Sequence, residues 1–120
     1  MSLRQKVALE GIRFFSHHGF YPEEQLTGND FIVDIVTEMN ADGTSTDELP
    51  DTVNYERLFF IASEETKNTS KLIETVAHRI LQKIQQEFPG LLLIEVSIRK
   101  PGLPMQGQIR NALVQLTYRQ

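Results

Sequence analysis

The sequence predicts an α+β fold in which two helices lie against one face of a four-stranded sheet, in the order strand, strand, helix, helix, strand, strand. Three observations carry this expectation. Apolar and polar residues alternate over 7–16, 31–40, 91–100 and 110–119, the period of half-buried strands. Between the second and third of these, 55–66 and 71–88 repeat instead at helical spacing. The chain has 120 residues, 40% hydrophobic and 23% charged, enough for one modest core. Residues 1–120 therefore read as a single domain.

Each element has a local reason. In 7–16, Val7 and Leu9 alternate with Ala8 and Glu10, Gly11 intervenes, and Ile12 and Phe14 take up the apolar face. A glycine where the alternation shifts predicts a bulge. In 31–40, Phe31, Val33, Ile35 and Met39 share one face, and the other face is still half apolar. The polar stretch 40–54 reads as a long loop, a length that is often functional. Asn54 is a suitable cap for a helix over 55–66, with Tyr55, Leu58, Phe59 and Ala62 on its inner side. The stretch 71–88 is the clearest helix: Leu72, Ile73, Val76, Ala77, Ile80, Leu81, Ile84 and Phe88 form its stripe. Ser70 is the expected cap, and Pro89-Gly90 ends the helix. Leu92, Ile94, Val96 and Ile98 align in the third strand, Pro101 to Pro104 make a rigid turn, and Ala112, Val114, Leu116 and Tyr118 align in the fourth strand. Apolar residues on both faces of several strands predict that the uncovered face packs on other subunits, so an oligomer is expected.

Composition excludes several function classes. The formal net charge is -4 and the twelve Lys and Arg are scattered, which argues against nucleic-acid binding. There is no cysteine, hence no disulfide, thiol nucleophile or Cys-based zinc site. No stretch approaches the roughly 18 apolar residues of a membrane span, and the N-terminus is not signal-like, so no membrane association and a cytoplasmic location are expected. His17, His18 and His78 lack the spacing of a metal site, and no nucleotide-binding glycine motif or nucleophile elbow is present. No metal and no cofactor are expected.

Four polar residues are placed where chemistry could use them. Glu24 follows a Gly-Phe-Tyr-Pro turn and reads as part of a loop. Tyr55 begins a helix after the long loop. Glu74 lies in the first turn of the best helix. Lys100 ends a strand ahead of a proline, which biases it toward an extended conformation. Each also has a plain structural reading: Glu74 complements the helix dipole, Tyr55 suits a core edge, and Glu24 and Lys100 suit a solvated surface.

Taken together, His18-Gly19-Phe20-Tyr21-Pro22-Glu23-Glu24, Asp51-Thr52-Val53-Asn54-Tyr55, Leu72-Ile73-Glu74 and Lys100-Pro101 with Pro104 and Gly107 resemble the dihydroneopterin aldolase family, in order and spacing, along almost the whole chain. The resemblance implies a tunnelling fold, in which four-stranded antiparallel sheets from four subunits join into a ring-shaped barrel. Two rings commonly stack into an octamer, with sites between neighbouring subunits. It implies a small-molecule pterin substrate, 7,8-dihydroneopterin, cleaved to 6-hydroxymethyl-7,8-dihydropterin and glycolaldehyde on the route to folate. Glu74 would accept the pterin's paired N–H donors in a fork, with backbone groups of Val53, Tyr55 and Ile73 beside it and Glu24 near the substrate hydroxyls. Lys100 would act as general base and Tyr55 as the acid that reprotonates the intermediate. The turn holding Met105-Gln106-Gly107 departs from the family's usual aliphatic-glycine turn.

Three rival readings follow from the same residues. Re-addition after cleavage would make the chain an epimerase of dihydroneopterin or its triphosphate. A related metal-dependent pterin synthase would need a His-x-His pair, which His17-His18 does not supply. A pterin-binding module would bind without turnover.

Overall fold

The computed structural model describes residues 3–43, 46–103 and 107–120. Its elements run β1 (Arg4–Ser16), α1 (Pro22–Thr27), β2 (Asn29–Asn40), a 3-10 turn (Leu49–Asp51), α2 (Tyr55–Thr66), α3 (Ile73–Glu87), β3 (Leu93–Pro101) and β4 (Asn111–Arg119). The strands form one antiparallel sheet in sequential order, β1-β2-β3-β4. The expected order of four strands and two long helices is therefore observed, with α1 and the 3-10 turn added. Pro104, Met105 and Gln106, which complete the predicted turn after β3, lie outside the described residues.

The helices cover a single face of the sheet. Phe31, Val33, Ile35 and Thr37 of β2 and Ile94, Val96 and Ile98 of β3 are buried there. All of these but Thr37 meet Leu58, Ile61 and Ala62 of α2 and Val76, Ala77, Ile80 and Ile84 of α3 in one core cluster. Val7, Leu9, Ile12 and Phe14 of β1 pack against the same cluster. They can all do so because the register shifts between Leu9 and Ile12, at Gly11, whose φ is 72°. The bulge predicted from the glycine is present, and it keeps both halves of β1 facing the core.

The opposite face is more polar than expected. Asp34 of β2 accepts from the Gly11 amide (2.6 Å) and from Arg99 Nη2 (2.8 Å). Ser97 donates to Gln115, and Thr117 to Glu95, across β3 and β4. Ile32 and Val36 share this face and are only half-buried. The apolar alternation of β2 marks partial cover rather than a second core.

Two local expectations are corrected. The inner stripe of α2 is Leu58, Ile61 and Ala62, whereas Tyr55 and Phe59 are 58% and 49% exposed. The helical period places Leu58 between Ile61 and Ala62, and Phe59 lies at the margin, stacked on Phe14. Helix α3 begins at Ile73 after Leu72, which offers no side-chain cap, so Ser70 does not cap it. Asn54 does cap α2, its Oδ1 accepting from the Glu56 amide at 2.9 Å.

The two helices run antiparallel. Arg57, near the start of α2, pairs in a fork with Glu87 at the end of α3 (2.9 and 2.7 Å). At the other end, Arg79 of α3 reaches Glu65 of α2, 3.3 Å from its carboxylate. The start of α3 therefore lies beside the end of α2.

Candidate active site

Lys100 occupies the last turn of alternation in β3, opposite Ala112 of β4 and on the helix-covered face with Ile98. Its amine donates to Glu24 Oε2, and the two side chains are only 13% and 16% exposed. Burial lowers the Lys100 ammonium pKa from its ordinary value. Glu24 is not in a loop, as its polar surroundings suggested, but in the first turn of α1. There its other oxygen accepts from the Tyr21 amide at 3.3 Å, the carboxylate half of a capping box. The carboxylate is thus held by the backbone on one side and spans to the lysine on the other.

Gly19 permits this placement. A Cβ at that position would lie 2.3 Å from the Glu24 Cβ, so any side chain there would displace Glu24. The Gly19 carbonyl accepts from Gln25 Nε2 at 2.9 Å, which binds the turn to α1. On its other side the Gly19 amide donates to the Ser70 carbonyl at 3.0 Å. This contact brings the α1 turn to the segment that leads into Ile73 and Glu74, the first two residues of α3. Ile73 is half-buried and Glu74 is exposed. Glu24, Lys100, Ile73 and Glu74 are thus gathered at one end of the helical layer.

Val53 and Tyr55 are not part of this group. Val53 is buried, and Tyr55 opens α2 at the end away from Thr66. Thr66 accepts from Ser16 through its carbonyl and so lies on the Glu24 side. The twelve residues of α2 separate its ends by roughly 16 Å at 1.5 Å per residue. Tyr55 instead lines an open groove of about 720 Å³ with Leu9, Arg57, Phe59 and Phe60. That groove contains neither Lys100 nor Glu74, so within one chain the expected site residues fall into two separate groups.

Sequence reasoning singled out Glu24, Lys100 and Glu74 but not the residues that hold their segments in place. His18, buried at the end of the inward alternation that includes Ser16, accepts from the Ser70 amide through Nδ1 at 3.1 Å. Arg79 donates to Ser70 Oγ at 2.7 Å and to the carbonyls of Glu65 and Asn68. The inward parity of His18 was a readable signal, whereas the role of Arg79 depends on tertiary contacts alone. His78 is exposed on α3, in keeping with a surface residue. Among the described residues no helix is long and apolar enough to cross a membrane.

Comparison with known proteins points one way. The family model described as FolB, dihydroneopterin aldolase, matches residues 7–117. A dihydroneopterin aldolase of Bacillus subtilis is 31% identical over 114 residues, spanning 93% of this chain and 95% of that protein. One from Streptococcus pyogenes serotype M1 is 34% identical over 113 residues, 92% of this chain and 95% of the relative. Among solved structures, Escherichia coli dihydroneopterin aldolase in complex with neopterin superposes with a TM-score of 0.84 at 18% identity, covering 95% of this chain and 98% of that one. The fold is the one those proteins share.

Proposed function

The chain belongs to the dihydroneopterin aldolase family, and on that premise we propose that it cleaves 7,8-dihydroneopterin by a retro-aldol step to 6-hydroxymethyl-7,8-dihydropterin and glycolaldehyde. The observation that carries the reading is the buried Lys100–Glu24 pair at the same end of the fold as Glu74. It supplies an amine of lowered pKa at the end of the fold where the exposed Glu74 carboxylate can take a fork of N–H donors. The neopterin held by the Escherichia coli relative is a ligand of the same class.

In this reading Glu74 accepts the paired N–H donors of the pterin edge, and backbone groups of Ile73, Val53 and Tyr55 line the ring. Lys100, directly or through a water, takes the proton from the hydroxyl on the carbon beyond the scissile bond. That carbon becomes the aldehyde of glycolaldehyde. The bonding pair passes to the carbon attached to the ring, where the neighbouring ring imine delocalises it. Tyr55 then delivers a proton to that carbon, leaving the hydroxymethyl group. The imine already accepts the electrons, so the step requires no lysine Schiff base. Glu24 orients Lys100 and lies near the substrate hydroxyls. Each positioned acid or base contributes about 100- to 10,000-fold.

The half-sites of one chain are a helix length apart, so a working site takes Lys100 and Glu74 from one subunit and Val53 and Tyr55 from another. The open sheet edges at β1 and β4 suit ring closure into a homo-oligomer, a tetrameric ring or a stacked octamer, of single-domain subunits in the cytoplasm. The deciding experiment is chromatographic product analysis with 7,8-dihydroneopterin. Hydroxymethyl-dihydropterin and glycolaldehyde in equal amounts are expected, any epimer reporting re-addition, and Lys100→Ala should abolish both products while neopterin still binds. Absence of turnover by the native protein would overturn the reading. Reassembling mixed Lys100→Ala and Tyr55→Phe subunits should restore activity, because about one interface in four then carries both native side chains. No recovery would refute the shared site.

A further inference from the structure

Building on the site proposed above, we infer that His18 is a positioning residue whose imidazole fixes the start of the Glu74 helix relative to the Glu24–Lys100 pair. Three hydrogen bonds meet at Ser70, just ahead of that helix. The Ser70 amide donates to His18 Nδ1 (3.1 Å), its carbonyl accepts from the Gly19 amide (3.0 Å), and its hydroxyl accepts from Arg79 Nη1 (2.7 Å). Two of these bonds lead to the segment that runs into Glu24, and the third returns to the body of α3. Helix α3 has no side-chain cap of its own at Leu72, so its first turn is located by this junction rather than by local capping.

Packing does not explain the imidazole. His18 is 2% exposed and stands edge-on to the Phe31 ring, 5.4 Å between centroids. Its Nε2 is buried without a hydrogen-bond partner among the described residues. A leucine would fill the position without burying a polar side-chain atom, at the loss of the acceptor for the Ser70 amide. A backbone N–H can only donate, so Nδ1 must be the unprotonated nitrogen and the proton resides on Nε2. The ring is therefore retained for its Nδ1 acceptor. Burial first, then the Arg79 charge, lowers the ring's pKa, with His17 adding to this and the Thr66 carbonyl opposing it. Neutral imidazole is the form that can accept from Ser70.

Three variants separate positioning from plain structural support: His18→Asn, whose side-chain oxygen reaches close to the Nδ1 position, His18→Gln, whose oxygen lies too far out, and His18→Leu, which only fills space. Asn is expected to retain kcat/KM within about threefold, whereas Gln and Leu lose about 10- to 100-fold, shared between KM and kcat, as a displaced anchor requires. Leu should nevertheless melt no lower than Asn. Activity that follows melting temperature across the series, or equal activity of Leu and Asn, would overturn the inference. Amide exchange at Ser70 in the native protein provides a check that needs no variant: strong protection is expected, and exchange at the rate of an open loop would also overturn it. Failure of the underlying site reading looks different, since the native protein would then not cleave dihydroneopterin, or Glu74→Ala would bind neopterin undiminished.

Discussion

Lys100 donates to Glu24 across 76 residues of sequence, and the two partners act on the lysine in opposite directions. Burial favours the neutral amine, whereas an adjacent carboxylate favours the ammonium. A general base must be unprotonated, so turnover should fall as pH drops through the lowered Lys100 pKa. Glu24→Gln removes the negative partner and should lower that pKa further. The acid limb of the kcat–pH profile then moves to lower pH, even where the plateau rate is reduced. Lys100→Arg, which cannot deprotonate, should lose turnover at every pH. An acid limb that moves to higher pH in Glu24→Gln would contradict this assignment.

Gly19→Ala tests the close approach that seats Glu24. The added methyl meets backbone-anchored Cβ at 2.3 Å, so α1 must shift and the Lys100 contact is lost. Overpacking of this kind costs about 1–3 kcal/mol. A denaturant titration should show that loss, and kcat should fall by at least about tenfold. A variant with native kcat would show that Glu24 need not touch Lys100.

His18 should leave a mark on acid stability. Its folded pKa lies below the ordinary 6.5, so between the two values the unfolded chain binds more protons than the folded one. Stability from this group is complete above 6.5 and is lost as pH falls toward the folded pKa. Melting temperatures measured downward from neutral pH should therefore decline less steeply just below 6.5 in His18→Leu than in the native protein. Parallel declines would show that His18 titrates alike in both states.

Asn54→Ala removes the cap of α2 and should cost about 1 kcal/mol. The same residue separates Val53 from Tyr55, so fraying there should raise KM as well. Thermal melts and steady-state kinetics on one preparation check both effects. Loss of stability with unchanged KM would detach Tyr55 from the proposed ring-binding surface.

Much of the scaffold is legible in the sequence because its elements are long. The strand stretches, the span of α2 and the Asn54 cap follow from periodicity and one capping residue. The Gly11 bulge follows from the change of parity between Leu9 and Ile12. Helix α1 does not: it has six residues, none of them buried, so no hydrophobic period exists to reveal it. Ser70 looks like a cap because its hydroxyl sits near a helix start, but Arg79 takes that hydroxyl instead. The grouping of Glu24 with Lys100 was readable only as family resemblance. The separation of Tyr55 from both was not, since it depends on α2 and α3 lying antiparallel, which no local pattern encodes.

The Gly11 bulge makes β1 a strand whose two halves are out of phase in sequence but in phase in space. Val7 and Leu9 occupy odd positions and Ile12 and Phe14 even ones, yet all four look toward the helices. Removing one residue at the bulge would turn one half inside out, sending either pair into the polar side with Asp34 and Arg99. No single substitution could restore the phase, whereas an inserted residue nearby could. The spacing of β1 is therefore heritable as a length, and its tolerance to insertion and deletion should be far narrower than its tolerance to exchange.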